Sequence, residues 1–166
     1  IYDAHSTLVG ELPTYDFINI QFIMNLLDKK VPEWSDYVIA VSDTLKMFLE
    51  ENKIPPEKIS VIPTGVNIQQ FEGHNPENVK NIYKITQCTK IVMYPGSLAN
   101  FQGVDYLVEA MTMVFKDYKD AVLFLVGNTN EQRYKEMCGK YGISDKVIIT
   151  GERAFEEIPQ FLAAAD

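Results

Sequence analysis

The sequence contains few of the residues that mark a metal site, a disulfide framework or a nucleic-acid-binding protein. Its 166 residues include only two cysteines and two histidines. Cys88 and Cys138 form no CxxC pair, so neither a zinc site nor a disulfide is indicated. Buried, reduced thiols are therefore expected, as is usual in the cytoplasm. No basic cluster is longer than Lys29-Lys30 and the net charge is −8, which argues against a nucleic-acid partner.

Long apolar runs are also absent. No signal-peptide pattern occurs, and the most apolar stretch, residues 17–27 (FINIQFIMNLL), has about half the length that a membrane span requires. The surrounding residues 16–34 are predicted to form a helix. Its apolar side carries Phe22, Ile23, Leu26 and Leu27. We interpret it either as a core helix or as an amphipathic surface that meets a membrane or a lipid-linked substrate.

Short apolar runs alternate with amphipathic segments along the chain. The predicted strands are residues 1–4, 37–41, 59–62, 90–95, 121–126 and 146–150. The clearest predicted helix spans residues 104–117. It places Val104, Leu107, Val108, Met111 and Phe115 on one face. Strands that alternate with amphipathic helices predict an α/β fold with parallel sheets.

Residues 96–103 (GSLANFQG) connect a predicted strand to that helix. A strand-to-helix loop brings free backbone N–H groups and the positive end of the helix dipole to one point, which suits a phosphate group. The loop is neither a Walker A loop nor a GxGxxG motif.

Three consecutive predicted strands are followed by glycine, at Gly96, Gly127 and Gly151. Each glycine alone is explained by a tight turn. In an open parallel sheet, however, the carboxyl ends of the strands share one edge, and ligands bind in the crevice outside it. We therefore predict that the three loops form one ligand site.

Taken in order, these segments resemble the retaining glycosyltransferase family 4, which has the two-domain GT-B fold. The matching stretches are residues 35–42 (SDYVIAVS), 61–67 (VIPTGVN) with Phe71, 95–98 (PGSL), 103–110 (GVDYLVEA), 123–127 (LFLVG), 145–151 (DKVIITG) and 157–166 (EIPQFLAAAD). The resemblance covers nearly the whole chain. It implies Rossmann-like parallel sheets in two domains.

The resemblance also implies a domain assignment. Residues 1–72 would be the tail of the acceptor-side domain, and residues 73–166 the first half of the nucleotide-sugar domain. A polar stretch at residues 69–76 agrees with a boundary there. In the family, a segment with paired glutamates that contacts the donor sugar and ribose would follow Asp166. The chain is therefore expected to be a fragment that is inactive alone.

The resemblance places the nucleotide-sugar donor at the strand-end loops. The residues expected to bind it are Gly96, Ser97, Gln102, Gly103, Gly127, Asn128, Gly151 and Arg153. The family usually has Arg and Lys, which neutralise the donor diphosphate, where this chain has Ser97 and Gln102. The tripeptide Phe101-Gln102-Gly103 is similar to the loop of a subgroup that has an aromatic residue followed by Gln-Gly.

Two further residues are singled out. Arg153 is either an ordinary solvated arginine or a replacement for part of the missing charge. In the second case its guanidinium should face the 96–103 loop. His5 follows a strand end and matches a histidine that in the family lies near the transferred sugar, so it is the predicted catalytic residue.

The resemblance implies sugar transfer from a nucleotide-diphosphate sugar to a hydroxyl acceptor with retention, in the synthesis of glycans, polysaccharides or glycolipids. No metal or other cofactor is expected. The expected location is the cytoplasm, with peripheral membrane contact through residues 16–34 as an open alternative. Two other functions fit the same fold: a non-catalytic nucleotide-sugar-binding or regulatory module, and a nucleotide-sugar epimerase.

Overall fold

The chain divides into two units. The structure, a computed structural model, describes residues 1–8 and 21–166. One unit is Ile1–Val66 and the other is Asn67–Asp166. This division falls slightly before the boundary that the sequence suggests after residue 72. The part of the predicted helix at residues 16–20 lies outside the described residues.

The first unit contains a parallel sheet of three strands in the order β1-β2-β3. The strands are β1 (Tyr2–Ala4), β2 (Val38–Ala40) and β3 (Ile59–Val61), and the helices are α1 (Gln21–Trp34) and α2 (Asp43–Glu51). The core consists of Ala4, Val38, Ala40, Leu45, Leu49, Ile54 and Ile59. All three predicted strands are confirmed. Helix α2 begins after Ser42, whose Oγ accepts a hydrogen bond from Leu45 N–H at 3.2 Å and so caps the helix.

Helix α1 buries a different face from the one that its apolar pattern suggests. The buried residues are Met24, Asp28 and Pro32. Phe22 is 79% exposed, and Ile23, Leu26 and Leu27 are also exposed. Among the described residues this apolar side is therefore not part of a core, and that interpretation is wrong. No helix among the described residues is long and apolar enough to cross a membrane.

The second unit repeats the parallel arrangement, with strand order β4-β5-β6. Its strands are β4 (Lys90–Pro95), β5 (Ala121–Val126) and β6 (Val147–Gly151). Its helices are α3 (Glu77–Ile82), α4 (Val104–Asp117), α5 (Glu131–Tyr141) and α6 (Ile158–Ala163). The bounds predicted for β4, β5 and α4 are confirmed. Gly142 ends α5 in the left-handed conformation that favours glycine, at φ 66°.

The second sheet is covered on both faces, as expected for a parallel sheet. Leu123 and Leu125 of β5 pack with Val108 of α4 and Tyr134 of α5 in one cluster. The alternate residues of β5 pack in another cluster with α3 and α6. That cluster includes Val79, Phe124, Val126 and Phe161. Because strand side chains alternate between faces, β5 contributes to both cores.

Some large apolar side chains of the second unit are exposed, among them Tyr141 at the end of α5, Phe155 before α6 and Leu162 on α6. The expectation of two buried thiols is wrong for Cys88, which is exposed, whereas Cys138 is buried. Burial raises the pKa of the Cys138 thiol, which keeps it protonated at neutral pH.

Candidate functional site

The three strand-end glycines lie side by side. Gly96 N–H donates to the carbonyl oxygen of Val126 at 2.9 Å, and Gly127 pairs with Gly151 in an isolated bridge. The register aligns Pro95 with Val126. The carboxyl ends of β4, β5 and β6 therefore meet at one edge, as the sequence predicts.

Gly127 is required for this approach. A Cβ atom built on Gly127 would lie 1.9 Å from the carbonyl oxygen of Gly96, far inside van der Waals contact. Both atoms of that clash are rigidly placed by neighbouring strands. A side chain at this position would therefore force β4 and β5 apart at their ends.

A cavity of about 370 Å³ opens at this edge of the sheet. Its lining consists of Pro95, Gly96, Ser97, Val126, Gly127, Asn128, Glu152, Arg153, Phe155 and Ile158. Five of the predicted donor-binding residues are thus brought together. Gly151 adjoins them through its bridge to Gly127, while Gln102 and Gly103 lie outside the lining.

Ser97 of the loop lines this cavity. Ser97 N–H has no hydrogen-bond partner among residues 1–8 and 21–166, although Ser97 Oγ accepts from Ala99 N–H at 3.3 Å. Gly103 adopts φ 70° and is the residue that precedes α4. Free N–H groups near the start of a helix favour an anion.

The Arg153 guanidinium does not turn toward the 96–103 loop as expected. It donates to Tyr83 OH at 3.0 Å and to Thr150 O at 3.2 Å, and it lies 5.6 Å from the centre of the Phe161 ring. Its contact with Glu157 is long, at 3.9 Å. Its Nε is buried and has no partner in the described part of the chain. Arg153 nevertheless lines the same cavity as Ser97, and its contact with a diphosphate stays a prediction.

Sequence reasoning missed Glu152. Its carboxylate accepts a hydrogen bond from Asn128 Nδ2 at 2.7 Å, which joins the loops after β5 and β6 at the cavity. Its position in the sequence could have indicated a place in the site, because Glu152 directly follows the strand-end glycine Gly151. The negative charge of Glu152 offsets the positive charge of Arg153, so the side chains that line the cavity carry little net charge.

His5 belongs to the first unit. Its Nε2 lies 3.2 Å from Asp3 Oδ2, and its side chain is 64% exposed. The imidazole is therefore accessible, and its catalytic role stays a prediction. No group of three His, Cys, Asp or Glu residues that could hold a metal ion occurs in the described ranges.

Sequence reasoning also missed a polar cluster on the far side of the 96–103 loop. Asn100, Asp105, Asn130 and Arg133 are joined there by hydrogen bonds. Asn100 and Asp105 lie in or beside the 96–103 loop, whereas Asn130 and Arg133 come from a segment about 30 residues further along the chain, so the sequence alone does not show that they meet.

Family models match both parts of the chain. The model described as Glycosyl transferases group 1 matches residues 71–166, and the model described as Glycosyltransferase Family 4 matches residues 4–70. The chain is similar to an uncharacterized glycosyltransferase of Methanocaldococcus jannaschii, with 28% identity over 152 residues. That alignment covers 87% of this chain and 37% of the relative.

Solved structures show the same fold. The HepE protein of Anabaena, crystallised with UDP and glucose, superposes with a TM-score of 0.73 at 20% identity, over 99% of this chain and 44% of HepE. WaaG, a glycosyltransferase involved in lipopolysaccharide biosynthesis, gives a TM-score of 0.79 at 15% identity, over 100% of this chain and 49% of WaaG. The expected α/β architecture of part of a GT-B fold is confirmed. The chain spans less than half the length of each of these proteins.

Replacing Gly127 by alanine should destabilise the second unit by about 3 kcal/mol, because the new Cβ meets a backbone oxygen that cannot move aside freely. Urea unfolding measures this change. Gly139→Ala is the matched control, since the nearest atom to its Cβ is 3.9 Å away, and alanine favours the α5 helix by roughly 0.5–1 kcal/mol. Equal stabilities of the two variants would contradict the close approach of β4 and β5.

Proposed function

The chain belongs to the Glycosyl transferases group 1 family, and on that premise we propose that it contributes the donor site of a retaining glycosyltransferase. The reaction is the transfer of a hexose from a nucleotide-diphosphate sugar to a hydroxyl acceptor. The acceptor belongs to a glycan, a polysaccharide or a glycolipid. The second unit holds the donor, and the first unit belongs to the acceptor side.

The observation that supports this proposal is the cavity at the carboxyl ends of β4, β5 and β6. Gly96 and Gly127 contribute only backbone atoms to its lining. Ligands of open α/β sheets bind at this edge. The HepE structure contains UDP and glucose, which makes UDP the first probe for this cavity.

The charge balance of the cavity bears on how a diphosphate is held. Ser97 and Gln102 replace the two cations expected in the loop, and the whole chain carries a charge of −8. The free N–H of Ser97 and the start of α4 at Val104 supply partial positive charge. Arg153 lines the cavity and carries one whole positive charge. The departing diphosphate is stabilised by these groups, without a metal ion.

His5 is proposed to act on the sugar side of the reaction. Its exposed imidazole follows the carboxyl end of β1 (Tyr2–Ala4). The support for this role is the family resemblance, in which a histidine at the matching position lies near the transferred sugar. Its pairing with Asp3 Oδ2 at 3.2 Å orients the ring.

A non-catalytic nucleotide-sugar-binding module is the second candidate. The presence of the Glu152 carboxylate in the cavity lining favours it, because this charge opposes a diphosphate. The two candidates differ in turnover, since only the enzyme releases free nucleoside diphosphate from a nucleotide sugar when an acceptor is supplied.

We expect UDP to bind the protein and Arg153→Ala to weaken that binding roughly ten- to a hundredfold, as the loss of one charge-assisted contact requires. Isothermal calorimetry with UDP, and with GDP and ADP in parallel, measures this effect. Lys116→Ala removes a positive charge at the far end of α4 and serves as the control. If Arg153→Ala binds as tightly as the unaltered protein, Arg153 is a structural partner of Tyr83 and the loop backbone alone holds the ligand.

The exposed apolar side of α1 is proposed to make peripheral contact with a membrane that carries the acceptor. Phe22 and Trp34 are 79% and 74% exposed, and Lys29 and Lys30 lie between them on the same helix. Apolar side chains beside lysines suit the interface of an anionic bilayer.

Replacing Phe22 and Leu26 by serine should reduce binding to vesicles of phosphatidylcholine and phosphatidylglycerol about tenfold or more, because each buried side chain contributes roughly 1.5–3 kcal/mol. Co-sedimentation measures the bound fraction. Met113→Ser, which removes a similarly exposed side chain from α4, should leave it unchanged. Equal sedimentation of all variants would exclude α1 as the contact.

A further inference from the structure

The backbone of the 96–103 loop is held by the loop that follows β5. Leu98 N–H donates to Asn128 O at 3.1 Å. Asn130 Nδ2 donates to Leu98 O at 3.3 Å and to Asn100 Oδ1 at 3.2 Å. Both backbone polar groups of Leu98 are therefore bonded to the neighbouring loop, while its side chain is fully buried.

Arg133, in the first turn of α5, joins this loop to the helix that follows it. Its Nη1 donates to Asn100 Oδ1 at 3.2 Å and to Asp105 Oδ1 at 2.8 Å. Its Nη2 donates to the other carboxylate oxygen of Asp105. One planar guanidinium thus fixes the loop and the first turn of α4 relative to each other, which a lysine cannot do.

The charges of this cluster are stable around neutral pH. The hydrogen bonds from Arg133 hold the pKa of Asp105 below its ordinary value of 3.8. Burial, with hydrogen bonding to Asp105, raises the pKa of Tyr134 to about 12, and Arg133 lies 5.3 Å from the centre of that ring. Because the folded pKa of Asp105 is depressed, its contribution to stability is present at neutral pH and is lost as the pH falls through that pKa.

The loop after β5 adopts an unusual backbone to make these contacts. Thr129 and Asn130 both have positive φ, at 69° and 56°. Asparagine tolerates this region, but a β-branched threonine rarely enters it. The conformation brings the Asn130 amide to Leu98 and Asn100, and the hydrogen bonds that form there offset its cost.

We propose that Arg133, together with Asn130, positions the 96–103 loop for the donor diphosphate. Arg133 is not in the lining of the cavity, so it acts on a ligand through Asn100 and Asp105 and is a positioning residue. Positioning matters here because Ser97 and Gln102 carry no charge, and affinity depends on where the loop N–H groups point. The inference rests on the proposed function of the cavity.

The test compares Arg133→Lys, Asn100→Ala and the double variant. Arg133→Lys keeps the positive charge but loses the fork that bridges Asn100 and Asp105. We expect hydrogen exchange of the amides of residues 97–103 to quicken about tenfold and the Kd for UDP to rise about tenfold, from the loss of a charge-assisted bridge. Asn100→Ala should have a similar effect, and the double variant should add little to either.

Lys135→Gln is the matched control, because Lys135 lies on the same helix and pairs only with Glu131 among the described residues. It should leave both measurements unchanged. Amide exchange in β5 reports global stability and should not change in any variant.

Each contrary result has a distinct meaning. Unchanged exchange of residues 97–103 in Arg133→Lys would overturn the positioning role, whether or not a ligand binds. Unchanged UDP affinity would overturn it as well. Faster exchange that extends through β5 would show that Arg133 acts on stability alone. Quickened loop exchange in a protein that binds none of UDP, GDP and ADP would instead overturn the proposed function on which the inference rests.

Discussion

The strand-end cavity of the second unit depends on the close approach of two strand ends. Gly127 lies so near the carbonyl oxygen of Gly96 that a Cβ atom would sit 1.9 Å from it. Because β4 and β5 converge there, the loops that follow them start side by side and their backbones are within hydrogen-bond reach. Leu98 N–H then donates to Asn128 O at 3.1 Å, and this bond ties the loop after β4 to the loop after β5.

Because the loop has no cations at Ser97 and Gln102, the proposed binding of a diphosphate depends more on backbone N–H groups. A chain of net charge −8 repels a diphosphate at long range. Local donors have to overcome this repulsion, and Arg153 is partly occupied by Tyr83 and Thr150. The carboxylate of Glu152, bound to Asn128, adds a further negative charge at the rim. Under the proposed function, binding is therefore sensitive to the order of the 96–103 loop.

Periodicity and strand-end chemistry predict much of this fold. The bounds of β4 (Lys90–Pro95), α4 (Val104–Asp117) and β5 (Ala121–Val126) follow from apolar spacing. The shared edge of Gly96, Gly127 and Gly151 follows from parallel topology alone.

Tertiary partners are what the sequence does not reveal. The apolar side of α1 is exposed. The sequence does not reveal this, because a period of 3.6 residues identifies an apolar face but not what covers it. Arg153 turns to Tyr83, which lies on another segment far away in sequence. The cluster of Asn100, Asp105, Asn130 and Arg133 joins segments through single side chains, and no local pattern marks such contacts.

A ¹H–¹⁵N NMR titration with UDP tests whether the strand-end cavity of the second unit binds a nucleoside diphosphate through backbone N–H groups. We expect saturable shifts that are largest for the amides of Ser97, Gly127 and Asn128, which line the cavity, with smaller changes at the far ends of β4 and β5. Saturable shifts confined to another part of the chain, or no shifts at a concentration that saturates binding by calorimetry, would contradict this expectation.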